Sequence, residues 1–321
     1  MTKQKVFVTR NIPIKGLNQV RDFCEVDIWQ DELPPTHDEL LKRVRGVDGL
    51  LSSLTERVDV EVMEAAHKLK VISNFAVGVD NIDVAAATAR KIPVGNTPEV
   101  LTDATADMAF ALLLAAARRI VEAEHYVHAG KWKTWGTQLL LGTDLVGSTL
   151  GIIGFGRIGQ AVAKRAAGFD LRVIYHDPTK QSAFDAIPVE LDTLLQESDF
   201  VSLHVPLTAK TRHMINVKTL KKMKPNAVLV NTSRGPVVDS RALYDALKAH
   251  RIFAAALDVT EPEPLPQDDP LLELPNCIVI PHLGSASKQT RDQMSVLAAQ
   301  NLIAGLKGEH LPNCVNSQVY N

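Results

Sequence analysis

Short apolar runs alternate with longer segments whose apolar residues recur at helical spacing along most of this chain. From the N-terminus the runs are Val6-Phe7-Val8, Val26-Asp27-Ile28, Gly49-Leu50-Leu51, Val71-Ile72-Ser73 and Ile92-Pro93-Val94. The helical segments between them cover residues 17–23, 37–44, 60–66 and 84–89. Such alternation predicts a parallel sheet covered by helices. A longer helix is expected over about 103–129, with Thr102 or Asp103 as its cap and Gly130 as its end. Its middle, Met108 to Leu114, is apolar on nearly every face, which suggests burial at a subunit interface, with a helix deep inside its own domain as the alternative. Further runs begin at Thr149, Leu171, Phe200, Ala227, Ala254 and Cys277, and a last helix over about 288–306 leads into a polar tail.

The run at Thr149 enters Gly154-Phe155-Gly156-Arg157-Ile158-Gly159, a G-x-G-x-x-G turn that opens a helical pattern. Gly154 permits the tight turn, Gly156 lets the backbone approach a pyrophosphate, and Gly159 lets helix and strand pack closely. The next run, Leu171-Arg172-Val173-Ile174-Tyr175, reaches Asp177, where a carboxylate would accept hydrogen bonds from an adenosine ribose. This is the order of a dinucleotide site, and it predicts NAD(H) as the preferred cofactor. NADP(H) is possible if His176 or Lys180 holds its extra phosphate.

Three later runs end in polar residues: Asn231-Thr232-Ser233-Arg234-Gly235, then Asp258-Val259-Thr260-Glu261-Pro262-Glu263-Pro264, then Pro281-His282-Leu283-Gly284-Ser285. In an open α/β sheet, ligands bind outside the carboxyl ends of the strands, so these residues can converge there. Hydride transfer to a carbonyl needs a proton donor at the oxygen, and histidine titrates near working pH. A carboxylate beside it stabilises the imidazolium, and arginine offers a planar fork to a substrate carboxylate.

The length of 321 residues predicts two domains, and a net charge of −2 gives no electrostatic case for nucleic acid or an anionic membrane. Three cysteines without metal spacing fit reduced thiols in a cytoplasmic protein, and no secretory signal is visible. No metal is expected.

The three strand-end motifs, with Glu263-Pro264-Leu265-Pro266 and Val77-Gly78-Val79-Asp80-Asn81-Ile82-Asp83, resemble the D-2-hydroxyacid dehydrogenases, closest to the glyoxylate/hydroxypyruvate reductase branch. The resemblance covers essentially the whole chain. It implies two Rossmann-like or flavodoxin-like parallel-sheet α/β domains, with the nucleotide domain (101–287) inserted in a substrate domain (1–100 and 288–321). It implies His282 as acid/base, Glu263 as its partner and Arg234 as the contact for carboxylate and carbonyl. Backbone N–H groups at Val77 and Gly78 would bind the carboxylate, Leu54 would wall the side-chain pocket, and His282 and Ser285 would complete the substrate contacts. Gly154, Gly156, Arg157, Ile158 and Gly159 would line the pyrophosphate, Asp177 the ribose, and Pro206, Thr232, Asp258 and Gly284 the rest of the cofactor.

Two positions depart from the pattern. Leu139 stands where mammalian reductases of the branch carry a tryptophan contributed across the dimer, and Tyr175-His176-Asp177-Pro178 replaces an arginine found in NADPH-dependent members. The expected reaction is reduction of glyoxylate or hydroxypyruvate with NADH by a homodimer. The rivals are a reductase for another 2-oxo acid (D-lactate-type or 2-ketogluconate) and a non-enzymatic NAD-sensing corepressor.

Overall fold

The computed structural model describes residues 3–179, 181 and 183–321; Lys180 lies outside them. Contacts divide the chain into two units, Met1–Leu101 with Ala286–Asn321, and Thr102–Ser285.

The first unit holds a five-stranded parallel sheet of β1 (Lys5–Val8), β2 (Glu25–Ile28), β3 (Gly49–Ser52), β4 (Val71–Asn74) and β5 (Val94–Gly95), in the order β2-β1-β3-β4-β5. Period-two alternation sends Phe7, Leu50, Ile72 and Val94 to one face, where they meet Val44, Val62, Met63 and Ala87. Val6, Val8, Leu51 and Val71 line the other face with Leu17, Val20, Ala298 and Leu302. Helices therefore cover both sides, as a parallel sheet requires. Thr36, Asp59 and Asp83 cap three of the helices by accepting from backbone N–H groups in their first turns. The helix Lys288–Lys307 starts at the Ser287 cap and stops at Gly308, whose φ of +76° ends it in the left-handed region. The tail beyond it is not loose: Leu311 is buried, and the Asn316 carboxamide oxygen accepts from the Val94 N–H at 2.8 Å.

The second unit is a seven-stranded parallel sheet of β6 (Thr149–Ile153), β7 (Arg172–His176), β8 (Ile187–Pro188), β9 (Phe200–Leu203), β10 (Val228–Asn231), β11 (Ala254–Leu257) and β12 (Cys277–Val279). Its order is β12-β11-β10-β9-β6-β7-β8, so the strand order reverses between β6 and β9. That reversal is the place where a doubly wound sheet binds its ligand. The two-residue edge strand β8 has no counterpart among the expected elements; both its residues are exposed, so no apolar run announces it.

The long helix expected over 103–129 is two helices, Thr102–Ala117 and Ile120–His128. The break has a local cause. Thr143 donates its N–H to the Ala117 carbonyl at 2.9 Å, and Arg119 turns left-handed at φ +52°. The Arg119 guanidinium then pairs with Glu122 at 2.7 Å. Neither Gly nor Pro marks the break. The apolar middle of the first helix is also covered within the unit, with Ala109, Phe110, Leu112, Leu113 and Ala116 buried against β10, β11 and the helix Arg157–Ala166. The apolar side chains left exposed lie further on, at Ile120, Val127, Trp132, Trp135 and Leu141. Among the described residues no helix is long and apolar enough to cross a membrane.

Candidate active site

The glycine turn has the geometry its residues demand. Gly154 takes φ +91°, a conformation a side chain would strain, and an added Cβ would also strike the His204 carbonyl. A Cβ on Gly159 would collide with the Gly154 carbonyl, so the helix Arg157–Ala166 starts tight against the turn. Around Gly156 the space is open, which is the cradle a pyrophosphate needs. Arg157 and Ile158 form the first turn of that helix. Phe155 is buried and stacks on Tyr175 with ring centroids 4.0 Å apart, anchoring the turn to β7.

Asp177 follows β7 as expected. One carboxylate oxygen accepts from the Phe155 N–H and the other from the Thr179 N–H, each at 2.8 Å. The carboxylate thus splints the glycine turn, and each oxygen keeps a further lone pair.

Pro206, Thr232, Asp258 and Gly284 follow β9, β10, β11 and β12 respectively. The Thr232 hydroxyl is buried without a hydrogen-bond partner, and so is Nδ1 of His204 at the end of β9. Burial pushes the His204 pKa down to about 3, so its ring is neutral, with Nε2 2.8 Å from the Ser202 hydroxyl. Buried polar atoms without partners are costly unless something else satisfies them. Two of them on neighbouring strands, next to an open glycine cradle, fit a nicotinamide dinucleotide. His204 escaped the sequence reading, although the same strand-end rule that selected Arg234 would have found it.

Asp258 is buried, and its oxygens accept from the N–H of Leu283 at 2.5 Å and of Gly284 at 2.8 Å. The His282 N–H donates to the Asp258 carbonyl at 2.9 Å. Burial pushes the Asp258 carboxyl above the usual carboxylate range, against the pull of the Leu283 N–H. Asp258 therefore moulds the loop that carries His282. His282 sits at φ +54°, in the left-handed region that few non-glycine residues adopt. Its Nδ1 lies 2.5 Å from Glu263 Oε1. Arg234 leads from β10 into a turn; its carbonyl accepts from Asn231 Nδ2 at 2.9 Å and its guanidinium donates to the Ser233 carbonyl at 2.8 Å. Arg234, Glu263 and His282 thus come from the carboxyl ends of three neighbouring strands.

Residues 110–284 match the D-isomer specific 2-hydroxyacid dehydrogenase, NAD binding domain family. A glyoxylate reductase of Korarchaeum cryptofilum is 54% identical over 99% of this chain and 97% of its own length. The chain belongs to the D-2-hydroxyacid dehydrogenases. A solved structure of the TT0316 protein from Thermus thermophilus superposes with a TM-score of 0.93 at 49% identity, covering 97% of this chain and all (100%) of the other. An NADPH-dependent glyoxylate/hydroxypyruvate reductase from Sinorhizobium meliloti, solved with NADP and malonate, gives a TM-score of 0.87 at 34% identity over 98% of this chain and 97% of its own. As a member of this family the chain is an oxidoreductase that uses a nicotinamide cofactor on a small 2-hydroxy or 2-oxo acid.

The remaining expected contacts, Leu54, Val77 and Gly78, lie in the first unit, after β3 and β4. Asn96 donates to the Val77 carbonyl at 2.8 Å and Asn74 to the Gly78 carbonyl at 2.9 Å, which fixes the peptide planes there. Leu54 is 39% exposed. Ser285 closes the segment after His282 at the end of the second unit.

Proposed function

We propose that this dehydrogenase reduces glyoxylate, and hydroxypyruvate alongside it, to the corresponding hydroxy acid with NADH. The observation that carries the reading is the His282–Glu263 pair at 2.5 Å, at the end of the strand next to the one that Asp258 follows. The names of the relatives supply the substrate class.

The bound cofactor supplies the hydride. His282, protonated, hands its Nε2 proton to the carbonyl oxygen while Glu263 holds Nδ1 and stabilises the charge. Arg234 grips the substrate carboxylate with its fork and polarises the carbonyl, so that one face of the carbon is presented. The backbone at Val77 and Gly78 takes the same carboxylate, Leu54 limits the size of the side chain, and Ser285 completes the substrate contacts. Gly154, Gly156, Arg157, Ile158 and Gly159 hold the pyrophosphate, and Pro206, Thr232, Asp258 and Gly284 line the remainder of the cofactor.

Asp177 is the reason to favour NADH: an ionised carboxylate welcomes ribose hydroxyls and repels a 2′-phosphate. Trp132, Trp135 and Leu141 give a second copy of the chain an apolar surface to cover, and we read the protein as a homodimer. The test is consumption of NADH and NADPH with a panel of 2-oxo acids. Glyoxylate should lead the panel, kcat/KM should favour NADH, and Asp177→Ala should narrow that preference mainly by weakening NADH use. A severalfold preference of the intact enzyme for NADPH, or turnover confined to pyruvate, would overturn the corresponding part.

A further inference from the structure

Glu261 stands two positions before Glu263 on the segment that leaves β11, and its carboxylate is taken at both ends. Arg212 Nη2 reaches Oε1 at 2.6 Å, and His213 Nε2 lies 2.9 Å from Oε2. Burial alone would raise the Glu261 carboxyl, but the contacts from His213 and Arg212 outweigh it and hold the group below the usual carboxylate range.

The backbone around this cluster joins three segments. The His213 N–H donates to the Pro236 carbonyl at 2.8 Å, which ties the loop after β9 to the turn that follows Arg234. The Glu261 carbonyl accepts from the Ser240 hydroxyl at 3.3 Å, and Thr260 Oγ1 donates to the Pro262 carbonyl at 2.7 Å. Gly235 packs so closely on the Thr260 carbonyl that a Cβ there would collide with it. One carboxylate therefore sits where the loop carrying Pro206, the turn carrying Arg234 and the segment carrying Glu263 meet.

We propose that the Arg212–Glu261–His213 cluster is a clamp that positions Glu263 against Nδ1 of His282. Glu261 is a positioning residue: it touches no reacting atom and acts through the segment it fixes. The inference rests on the reading of His282 and Glu263 as the acid/base pair. Among the described residues Arg212 and His213 face the Glu261 carboxylate, and Glu263 contacts the His282 ring.

The partners are substantially exposed, with 51% of the Arg212 side chain and 42% of the His213 side chain open to solvent. Exposed ion pairs contribute little to global stability. Catalysis is far more sensitive, since a shift of about an ångström in a reacting group can cost on the order of a hundredfold. The clamp should therefore matter much more for the rate than for melting.

The experiment uses the full-length enzyme with glyoxylate and NADH. In Glu261→Gln the melting temperature should change by no more than about 2 °C. Its kcat should fall by about tenfold, with the KM for glyoxylate nearly unchanged. The pH at which reduction falls off should move down, in the direction that Glu263→Gln moves it. Arg212→Ala and His213→Ala should do the same to a smaller degree. His213→Gln keeps a donor near the Nε2 position without a titrating ring, and should restore both rate and pH limb. An unmoved limb in Glu261→Gln, or a drop in rate that only tracks a large loss of melting temperature, would overturn the clamp. Should Glu261→Gln fail to fold, the contrast of His213→Ala with His213→Gln decides. Near-normal turnover in His282→Ala would overturn the acid/base reading itself, and the clamp with it.

Discussion

In the proposed reaction His282 passes one proton to the carbonyl oxygen, and Glu263 holds the ring by its Nδ1. On that reading reduction needs a protonated ring, and a carboxylate beside an imidazole favours the protonated form. Glu263→Gln keeps the shape and removes the charge, so the basic limb of kcat/KM for reduction should move to lower pH. The acid limb for oxidation should move down too, because both limbs follow the same proton. His282→Ala should cost about 10²–10⁴-fold in kcat/KM, and pH profiles in both directions check all of this. The placement of Arg234, Glu263 and His282 after neighbouring strands was legible because each follows an apolar run, and the carboxyl end of a parallel strand is where a ligand sits. The role of Asp258 was not fully legible. Its two oxygens engage the backbone of Leu283 and Gly284, and a bond to a main-chain N–H leaves no mark on the partner's side chain. Glu261 was hidden for a related reason: its partners come from the loop after β9, far away in sequence, and only the folded chain brings them near.

The strands and most helices follow from periodicity, and their failures are instructive. The β8 edge lacked an apolar run, and the helix break after Ala117 depends on the Thr143 N–H, a contact no local pattern encodes. Asp199 is another such hub, at the amino end of β9. It accepts from the Thr149 N–H at 2.9 Å, from Lys224 at 2.9 Å and from Asn226 at 3.2 Å, so it fastens the starts of β6, β9 and β10. Burial pushes its carboxyl up, yet the Thr149 N–H, Lys224 and Asn226 together hold it below the usual range. A carboxyl depressed on folding stabilises above its unfolded pKa of about 4, and that contribution fades as pH falls through the folded value. Asp199→Ala should cost about 2 kcal/mol at neutral pH by denaturant titration, and the deficit should shrink in acid. A deficit independent of pH would point to packing instead.

At the scale of the molecule, apolar residues that the second unit leaves uncovered gather along 120–141, where Trp135 is 78% exposed and Leu141 61%. Patches of this kind mark protein contacts, and a symmetric pair of like chains is the default arrangement. Light scattering should give twice the chain mass at micromolar concentration, and Trp132→Glu with Trp135→Glu should halve it without unfolding either sheet. A wild-type monomer with full activity would end this expectation. The sequence put its expected pairing surface in a helix of about 103–129, whose apolar middle is filled by its own unit. Two parallel-sheet domains were expected from the chain's length and its alternation of strands and helices, and the glycine turn assigned the cofactor to the second of them. The return of the C-terminal segment also has a consequence in time. The helix Lys288–Lys307 supplies Ala298, Ala299, Leu302 and Leu306 to one face of the first sheet. On a ribosome the N-terminal strands emerge first, yet the part of that face filled by this helix stays uncovered until the whole nucleotide-binding unit has been made. The unit that begins the chain is thus the second to be completed, and a chaperone that shields apolar surface would meet β1, β3 and β4 throughout the synthesis of the nucleotide-binding unit.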